Sequence, residues 1–287
     1  MNEILLVNKK SGVTSRDVVN DLVHIFHTKK IGHTGTLDPL ATGILICLIG
    51  KCTKLGNDIT CTYKEYEAEM KLGIITDTYD IEGKVLERNK VDISEDTIRD
   101  TIMSFKREYL QEVPIYSSVK INGRKLYDYA RSGDKVILPS REVDIKELEI
   151  LSINGNIIKF RCLVSKGTYI RSLINDIGIS LECGAIMTKL NRTKQGRFDV
   201  KCAYTIDEIR EGKYSFTKLE DVIDLVKVDC TDDMYKQVKN GIRIVYDTNL
   251  DYILFKHNNL EVSLYKRVND DNSINNTFEM YIYLEEE

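Results

Sequence analysis

The chain is expected to adopt an α+β fold: a mixed, largely antiparallel sheet flanked by helices, followed by a small all-β unit. Three observations predict it. Stretches that read as strands are followed by single helices instead of alternating with them, which argues against a doubly wound parallel sheet. Two of them, "EVDIKELEILSING" and "IIKFRCLVS", are joined by an Asn-Gly turn at Asn154 and Gly155, the signal of an antiparallel hairpin. Beyond about residue 215 the pattern changes to short strands separated by Asn/Asp-rich turns.

Taken in order, "SRDVVNDLVHIFHT" places Val18, Val19, Leu22, Val23 and Phe26 on one helical stripe, with Thr14 or Ser15 as its N-cap. "KEYEAEMKLG" alternates, Tyr66, Ala68, Met70 and Leu72 on one side and Glu65, Glu67, Glu69 and Lys71 on the other, as a half-buried strand does. "DISEDTIRDTIMSF" reads as a helix opened by Asp92 or Ser94. The hairpin around Asn154 follows. "SLINDIGISLECG" then gives a helix with Ser172 near its cap, Leu173, Ile174, Ile177 and Leu181 on its face and Gly184 just past its end. "YTIDEIREGKYSF" closes the first unit, expected to span residues 1–215. The second, 216–287, is built from "GIRIVYD", "YILFKHN", "LEVSLYKRV" and "FEMYIYLE", with "NDDNSINN" as its longest turn.

Composition narrows the function classes. The 287 residues are 42% apolar and 30% charged, ordinary for a globular protein. The longest apolar run, Ile44 to Ile49, is far short of the roughly 20 residues that span a bilayer, and "MNEILLVNKK" does not read as a signal peptide. No membrane association and a cytoplasmic location are therefore expected. Seven scattered cysteines, without a C-x-x-C pair, argue against a disulfide framework and a zinc site, and the four histidines form no metal motif. Those in "LVHIFH", His24 and His27, read as one edge of the first helix. The acidic second unit, 8 Lys and Arg against 15 Asp and Glu from Lys218 onward, contrasts with Lys106 to Arg141, where 8 basic residues meet 4 acids. That basic stretch carries Tyr109, Tyr116, Tyr127 and Tyr129, so it could track a phosphate backbone and stack on bases, or be a solvated face.

One carboxylate stands apart. In "IGHTGTLDPLATGIL", Asp38 lies among glycines and threonines and precedes Pro39, which holds it extended. Such a turn can present a side chain into a cleft, cap the segment that follows, or belong to a phosphate-cradling loop; no Walker-type Lys-Ser or Lys-Thr follows the glycines.

"GHTGTLDPLATGIL" closely resembles the catalytic-loop signature of the TruB family of tRNA pseudouridine synthases, bacterial enzymes that isomerise uridine 55 in the T loop. "KKSGVTSRDVV", "KEYEAEMKLGIITDTYDIEG", "VPIYSSVKINGRKLYDYAR", "SKGTYIRSLINDIG" and "LNRTKQGRF" are similar to further blocks of that family, in its order and across nearly the whole first unit. The resemblance implies a pseudouridine synthase fold with a small PUA-like C-terminal domain and tRNA as partner. It implies no cofactor, no metal, no obligate protein partner and a monomer. It makes Asp38 the nucleophile, attacking C1′ of the ribose or C6 of the base, with Arg171 its charge partner and Tyr169 near the target base. Tyr66 becomes the stacking ring, Leu190 a pocket wall and His33 the residue that holds the T loop open. Tyr169 and Arg171 would share one face if a strand ran through them. The segment 106–141 becomes an insertion that grips RNA, mobile without it, through Lys120, Arg124 and Lys125; Lys239 and Arg243 of the second unit would touch RNA weakly. Lys10 and Val113 depart from the family pattern, which usually has proline at both positions. Two other readings accompany this one: a guide-dependent synthase inside a ribonucleoprotein, and a noncatalytic RNA-binding or folding protein.

Overall fold

The computed structural model describes residues 1–60, 63–268 and 276–284. Most of "NDDNSINN", and Cys61, lie outside the described residues.

Strand β1 (Ile4–Lys9) is followed by helix α1 (Ser15–Phe26), β2 (Ile31–Thr34) and β3 (Thr42–Ile49). A 3-10 turn over Gly50–Leu55 leads into the short α2 (Gly56–Thr60). Then come β4 (Lys64–Leu72), the hairpin β5 (Ile74–Thr76) and β6 (Val85–Arg88), α3 (Glu95–Ser104) and β7 (Glu108–Glu112). The insertion that follows holds a small hairpin, β8 (Lys120–Ile121) and β9 (Arg124–Lys125), and α4 (Leu126–Ser132). The chain returns through β10 (Ser140–Asn154) and β11 (Ile157–Val164) to α5 (Ile170–Ser180), β12 (Ala185–Gln195) and β13 (Phe198–Asp199). After α6 (Ile206–Arg210) and α7 (Leu219–Val222), the last part comprises β14 (Val226–Asp229), α8 (Asp232–Lys239), β15 (Ile244–Val245), β16 (Tyr252–His257), β17 (Leu260–Val268) and β18 (Thr277–Tyr283).

Local chemistry accounts for the main boundaries. Thr14 caps α1 in a capping box: its hydroxyl accepts from the Asp17 N–H at 3.0 Å, and the Asp17 carboxylate accepts from the Thr14 N–H at 2.8 Å. His27 ends α1 in the left-handed region, and it and His24 are exposed. Ser94, and not Asp92, caps α3. The β10–β11 hairpin is present, but its two loop residues are Gly155 and Asn156; Asn154 pairs with Ile157, and Gly155 takes the positive φ. The sequence signal was therefore displaced by one residue, because the positive φ falls on the first loop position.

The large sheet runs β1-β3-β12-β4-β11-β10-β7, with β2 beside β3 and β13 beside β12. Every pairing in it is antiparallel except β3 with β12, so it is mixed and largely antiparallel. That parallel contact shapes the site. Strand β2 pairs with β3 from Ile31↔Ile49 to Thr34↔Ile46, and β12 occupies the same edge of β3 at Thr42 and Gly43. The chain leaving β2 therefore cannot continue along β3, and residues 35–41 leave the sheet as a loop. Gly43 is required at the junction: a Cβ there would lie 2.2 Å from the Arg192 carbonyl oxygen.

Alternation decides which core each side chain joins. Tyr66, Ala68, Met70 and Leu72 of β4 pack with Ile98 and Ile102 of α3 and with Leu173, Ile174 and Ile177 of α5. The acids on the opposite face form ion pairs, Glu65 with Arg161 at 2.9 Å and Glu69 with Lys189 at 3.3 Å. Strands β1 and β3 are buried on both faces: Leu5, Val7, Leu45 and Cys47 face α1, while Ile4, Leu6, Ile44, Ile46 and Leu48 face the last strands. Those last strands form a five-stranded sheet, β14-β16-β17-β18-β15, whose Tyr252, Leu254, Leu264 and Ile282 meet the latter set. Its other face carries α8, a helix the all-β reading of this part did not contain.

Candidate active site

Asp38 sits in the 35–41 loop, whose backbone is tied down on three sides. The Ser15 hydroxyl accepts from the Leu37 N–H at 2.9 Å, and the Gly12 N–H donates to the Pro39 carbonyl at 2.9 Å. The amine of Lys9, 1% exposed, donates to the carbonyls of Pro39 at 3.2 Å, Val13 at 2.7 Å and Lys10 at 3.0 Å. Burial pulls that amine down to about 8, although nearby Asp38 acts the other way. Arg192, also 1% exposed, donates from Nη2 to the Gly35 carbonyl at 3.1 Å and from Nε to the Ile44 carbonyl at 2.8 Å. It straps the entry of the loop to its exit.

The carboxylate caps nothing. It accepts two charged hydrogen bonds from Arg171, Nε to Oδ2 at 2.9 Å and Nη2 to Oδ1 at 3.1 Å, across 133 residues of sequence. This fork-to-fork geometry fixes the direction of the carboxylate. The remaining donors of Arg171 go to the carbonyls of Thr78 at 3.1 Å and Tyr116 at 2.9 Å, and the Asp80 carboxylate lies 3.7 Å from Nη1. Asp80 is itself fixed by the Thr78 hydroxyl at 2.6 Å. The arginine side chain is 6% exposed but that of Asp38 is 35% exposed, so the acid is gripped from behind and open in front.

Tyr169 and Arg171 do not share a strand face. Strand β11 ends at Val164, Tyr169 is the N-cap of α5, and Arg171 stands in its first turn. Ser172 is not the cap but lies inside the helix, its hydroxyl donating to the Glu112 carbonyl at 2.9 Å. Burial pushes the Tyr169 phenol up from its ordinary value, against the fields of Arg141 and Arg171, so the ring is neutral. Tyr66, 7% exposed, is likewise pushed up by burial, with Arg192 opposing. Tyr66 and Leu190 belong to the same apolar cluster as Leu37 and Ala41, which flank Asp38. The sequence-selected acid and arginine are thus in direct contact, Tyr66 and Tyr169 lie within electrostatic reach of Asp38, and Leu190 shares the cluster of Tyr66 and Leu37.

His33 lies at the end of β2, half-buried, and its Nδ1 is buried with no hydrogen-bond partner. Burial, reinforced by Arg192 and Arg16, lowers its pKa and keeps the imidazole neutral. In the insertion, Lys120 and Lys125 are exposed and face each other directly across the β8–β9 hairpin, whose Asn122-Gly123 turn has positive φ at both residues. Arg124 is used internally: it pairs with Asp134 at 2.7 Å, donates to the Asp128 carbonyl at 2.7 Å and stacks on Tyr129 at 4.4 Å. The Val113 N–H donates to the Pro139 carbonyl at 2.9 Å, a bond across the neck of the insertion that a proline could not make. Sequence reasoning assigned no role to Lys9, Asp80 or Arg192. Only the block "TDTYDIEG" and the "NRT" beside Leu190 pointed near the last two.

Residues 23–170 match the family description "TruB family pseudouridylate synthase (N terminal domain)", and residues 171–228 match "tRNA pseudouridylate synthase B C-terminal domain". The chain is 49% identical over 211 residues to the tRNA pseudouridine synthase B of Clostridium acetobutylicum, covering 74% of this chain and 73% of that one. It is 40% identical over 263 residues to the protein of the same name from Clostridium tetani, covering 88% and 89%. Among solved structures, an H/ACA RNP bound to a substrate RNA containing 2'-deoxyuridine superposes with a TM-score of 0.68 at 23% identity, over 98% of this chain and 84% of that one, a likeness of fold. Since the first match spans Asp38 and Tyr66 through Tyr169, and the relatives align over most of their own length, the chain belongs to the TruB family of pseudouridine synthases.

Proposed function

We propose that the chain isomerises uridine 55 in the T loop of tRNA to pseudouridine, acting in the cytoplasm as a monomer without a cofactor, with Asp38 as nucleophile. The observation that carries this reading is the half-open carboxylate held bidentately by a buried arginine beside Tyr66, Tyr169 and Leu190. The reaction breaks the N1–C1′ bond, turns the base and joins C5 to C1′, while C5 loses a proton and N1 gains one. Nothing is added or removed overall, so one ionised, immobile carboxylate that forms a transient covalent adduct suffices. Arg171 holds that carboxylate in place and aims it.

The uridine has to leave its loop before Asp38 can reach it, and stacking and phosphate contacts offset that cost of a few kcal/mol. Tyr66 stacks against the flipped base, Tyr169 stands beside it, Leu190 lines the pocket, and neutral His33 holds the T loop open. The segment near 106–141 grips the RNA. Lys120 and Lys125 are suited to this, because like charges directly opposed on a hairpin repel until an anion lies between them. In this reading the catalytic unit spans residues 1–215, and the PUA-like remainder touches RNA weakly through Lys239 and Arg243.

The test is isomerisation of a bare tRNA transcript by the purified chain, with pseudouridine mapped by position. Wild-type protein converts the T-loop uridine, and Asp38→Asn abolishes conversion while tRNA binding persists. Undiminished conversion by Asp38→Asn removes the aspartate from the mechanism. Activity only with added guide RNA would favour the ribonucleoprotein reading, and binding without conversion would favour a folding protein.

A further inference from the structure

We infer that Gln111 is a positioning residue for the reaction: it supplies the N-terminal cap of α5 from another element and so holds Tyr169 and Arg171 where Asp38 needs them. The inference rests on the function proposed above.

Helix α5 begins without a cap of its own. Tyr169 occupies the N-cap position and makes no capping bond with its side chain. The first four N–H groups of a helix have no partner within it. For the Tyr169 N–H the partner is the Gln111 amide oxygen, at 2.8 Å. Gln111 is 1% exposed and lies on β7, the strand that leads into the insertion. Its orientation is fixed by the bonds it makes. A backbone N–H can only donate, so Oε1 faces Tyr169, and Nε2 donates to the Tyr109 hydroxyl at 2.7 Å. That hydroxyl, with a lone pair occupied, sends its own proton to Asp176 Oδ2 at 3.1 Å. Burial raises Asp176 to about 6, with Glu112 adding to the rise and Tyr109 opposing it; the group is still an ionised acceptor above pH 7.

Tyr169 and Asp176 lie two turns apart on α5. Gln111 and Tyr109, from one strand, thus brace the helix at two points through a chain of three bonds whose directions are each assigned. The first turn is held further by Ser172 to the Glu112 carbonyl and Arg171 to the Tyr116 carbonyl. Without the Gln111 oxygen, the Tyr169 N–H is left unsatisfied beside a buried guanidinium. The turn then relaxes toward another acceptor, carrying with it the residue that aims Asp38. A displacement of this kind slows chemistry without touching the RNA grip, because Gln111 sits on β7 in the sheet and the gripping lysines, Lys120 and Lys125, lie beyond it.

The experiment compares wild type, Gln111→Met, Gln111→Glu and Tyr109→Phe in single-turnover conversion of tRNA, tRNA affinity and hydrogen exchange of the Tyr169 amide. Gln111→Met, similar in length but with no acceptor, is expected to lower the single-turnover rate about tenfold or more with affinity changed less than about twofold. Its Tyr169 amide exchanges faster. Gln111→Glu keeps an oxygen toward the helix N-terminus, where negative charge is favoured, and recovers most of the rate. Tyr109→Phe, which frees the amide to rotate, falls between. An unchanged rate in Gln111→Met, a loss that appears wholly in affinity, or no recovery in Gln111→Glu overturns the inference. Should Gln111→Met not fold, a Tyr109→Phe rate equal to wild type overturns it. An inactive wild type would sink the proposed function instead, and amide exchange would still decide whether Gln111 caps the helix.

Discussion

At the scale of single residues, the centre depends on shape as much as on charge. Asp38 and Arg171 meet through two parallel bonds, and two backbone carbonyls take two more of the arginine's five N–H groups. Lysine would keep the charge but not the fork. Arg171→Lys is therefore expected to reduce single-turnover conversion by at least about 100-fold, near 3 kcal/mol, while tRNA affinity stays within about twofold; a drop under about threefold would show that charge alone suffices. Asp38, Tyr66, Tyr169, Arg171 and Leu190 could be named from sequence because each lies in a short block resembling the family, and of these the Asp38–Arg171 pair is seen as a direct contact. Lys9, Asp80, Gln111 and Arg192 were given no role, because each acts on a group distant in sequence: Lys9 on Pro39, Asp80 toward Arg171, Gln111 on Tyr169, and Arg192 on Gly35 and Ile44. Nothing local to Arg192 says that it joins Gly35 to Ile44.

At the scale of elements, the start of α5 was misread because its cap is not its own. Serine is a strong N-cap signal, so Ser172 drew the start of α5 toward itself, whereas the actual cap comes from Gln111 across the fold. The same displacement turned Tyr169 and Arg171 into strand neighbours when they are an N-cap and a first-turn residue. Helix α1 was legible because its cap, Thr14, is its own. The insertion shows how a charge count differs from a binding surface: Arg124 is committed to Asp134, Asp128 and Tyr129, while Lys120 and Lys125 stand exposed. Replacing both lysines by alanine is expected to weaken tRNA binding and reduce the slope of log affinity against log salt by about 1 to 2. A slope equal to that of wild type would exclude them from phosphate contact.

At the scale of the whole molecule, the two sheets are joined by an apolar core. Ile4, Leu6, Ile44, Ile46 and Leu48 pack on Leu254, Leu264 and Ile282, and Lys266 reaches back to Asp58 at 2.7 Å. Sequence patterning named four acidic strands but not the first, β14, and it could not show that they bury the back of β1 and β3, since a strand buried on both faces reads only as a continuous apolar run. Leu264→Ala is expected to destabilise the fold by about 2 to 5 kcal/mol, with catalytic and C-terminal parts unfolding in one denaturant transition. Two separate transitions, the first alone shifted, would show the sheets to be independent.

That shared core also sets an order of events during synthesis. The strand that starts at Ile4 emerges from the ribosome early, but one of its faces is only partly covered, by Leu55, Ile59, Leu219 and Ile223, until β16 to β18 follow some 250 residues later. Until then the nascent chain carries an exposed apolar ridge on the far side of the sheet that positions Asp38. A product truncated before these strands is therefore expected to expose the ridge and to aggregate more readily than the full chain.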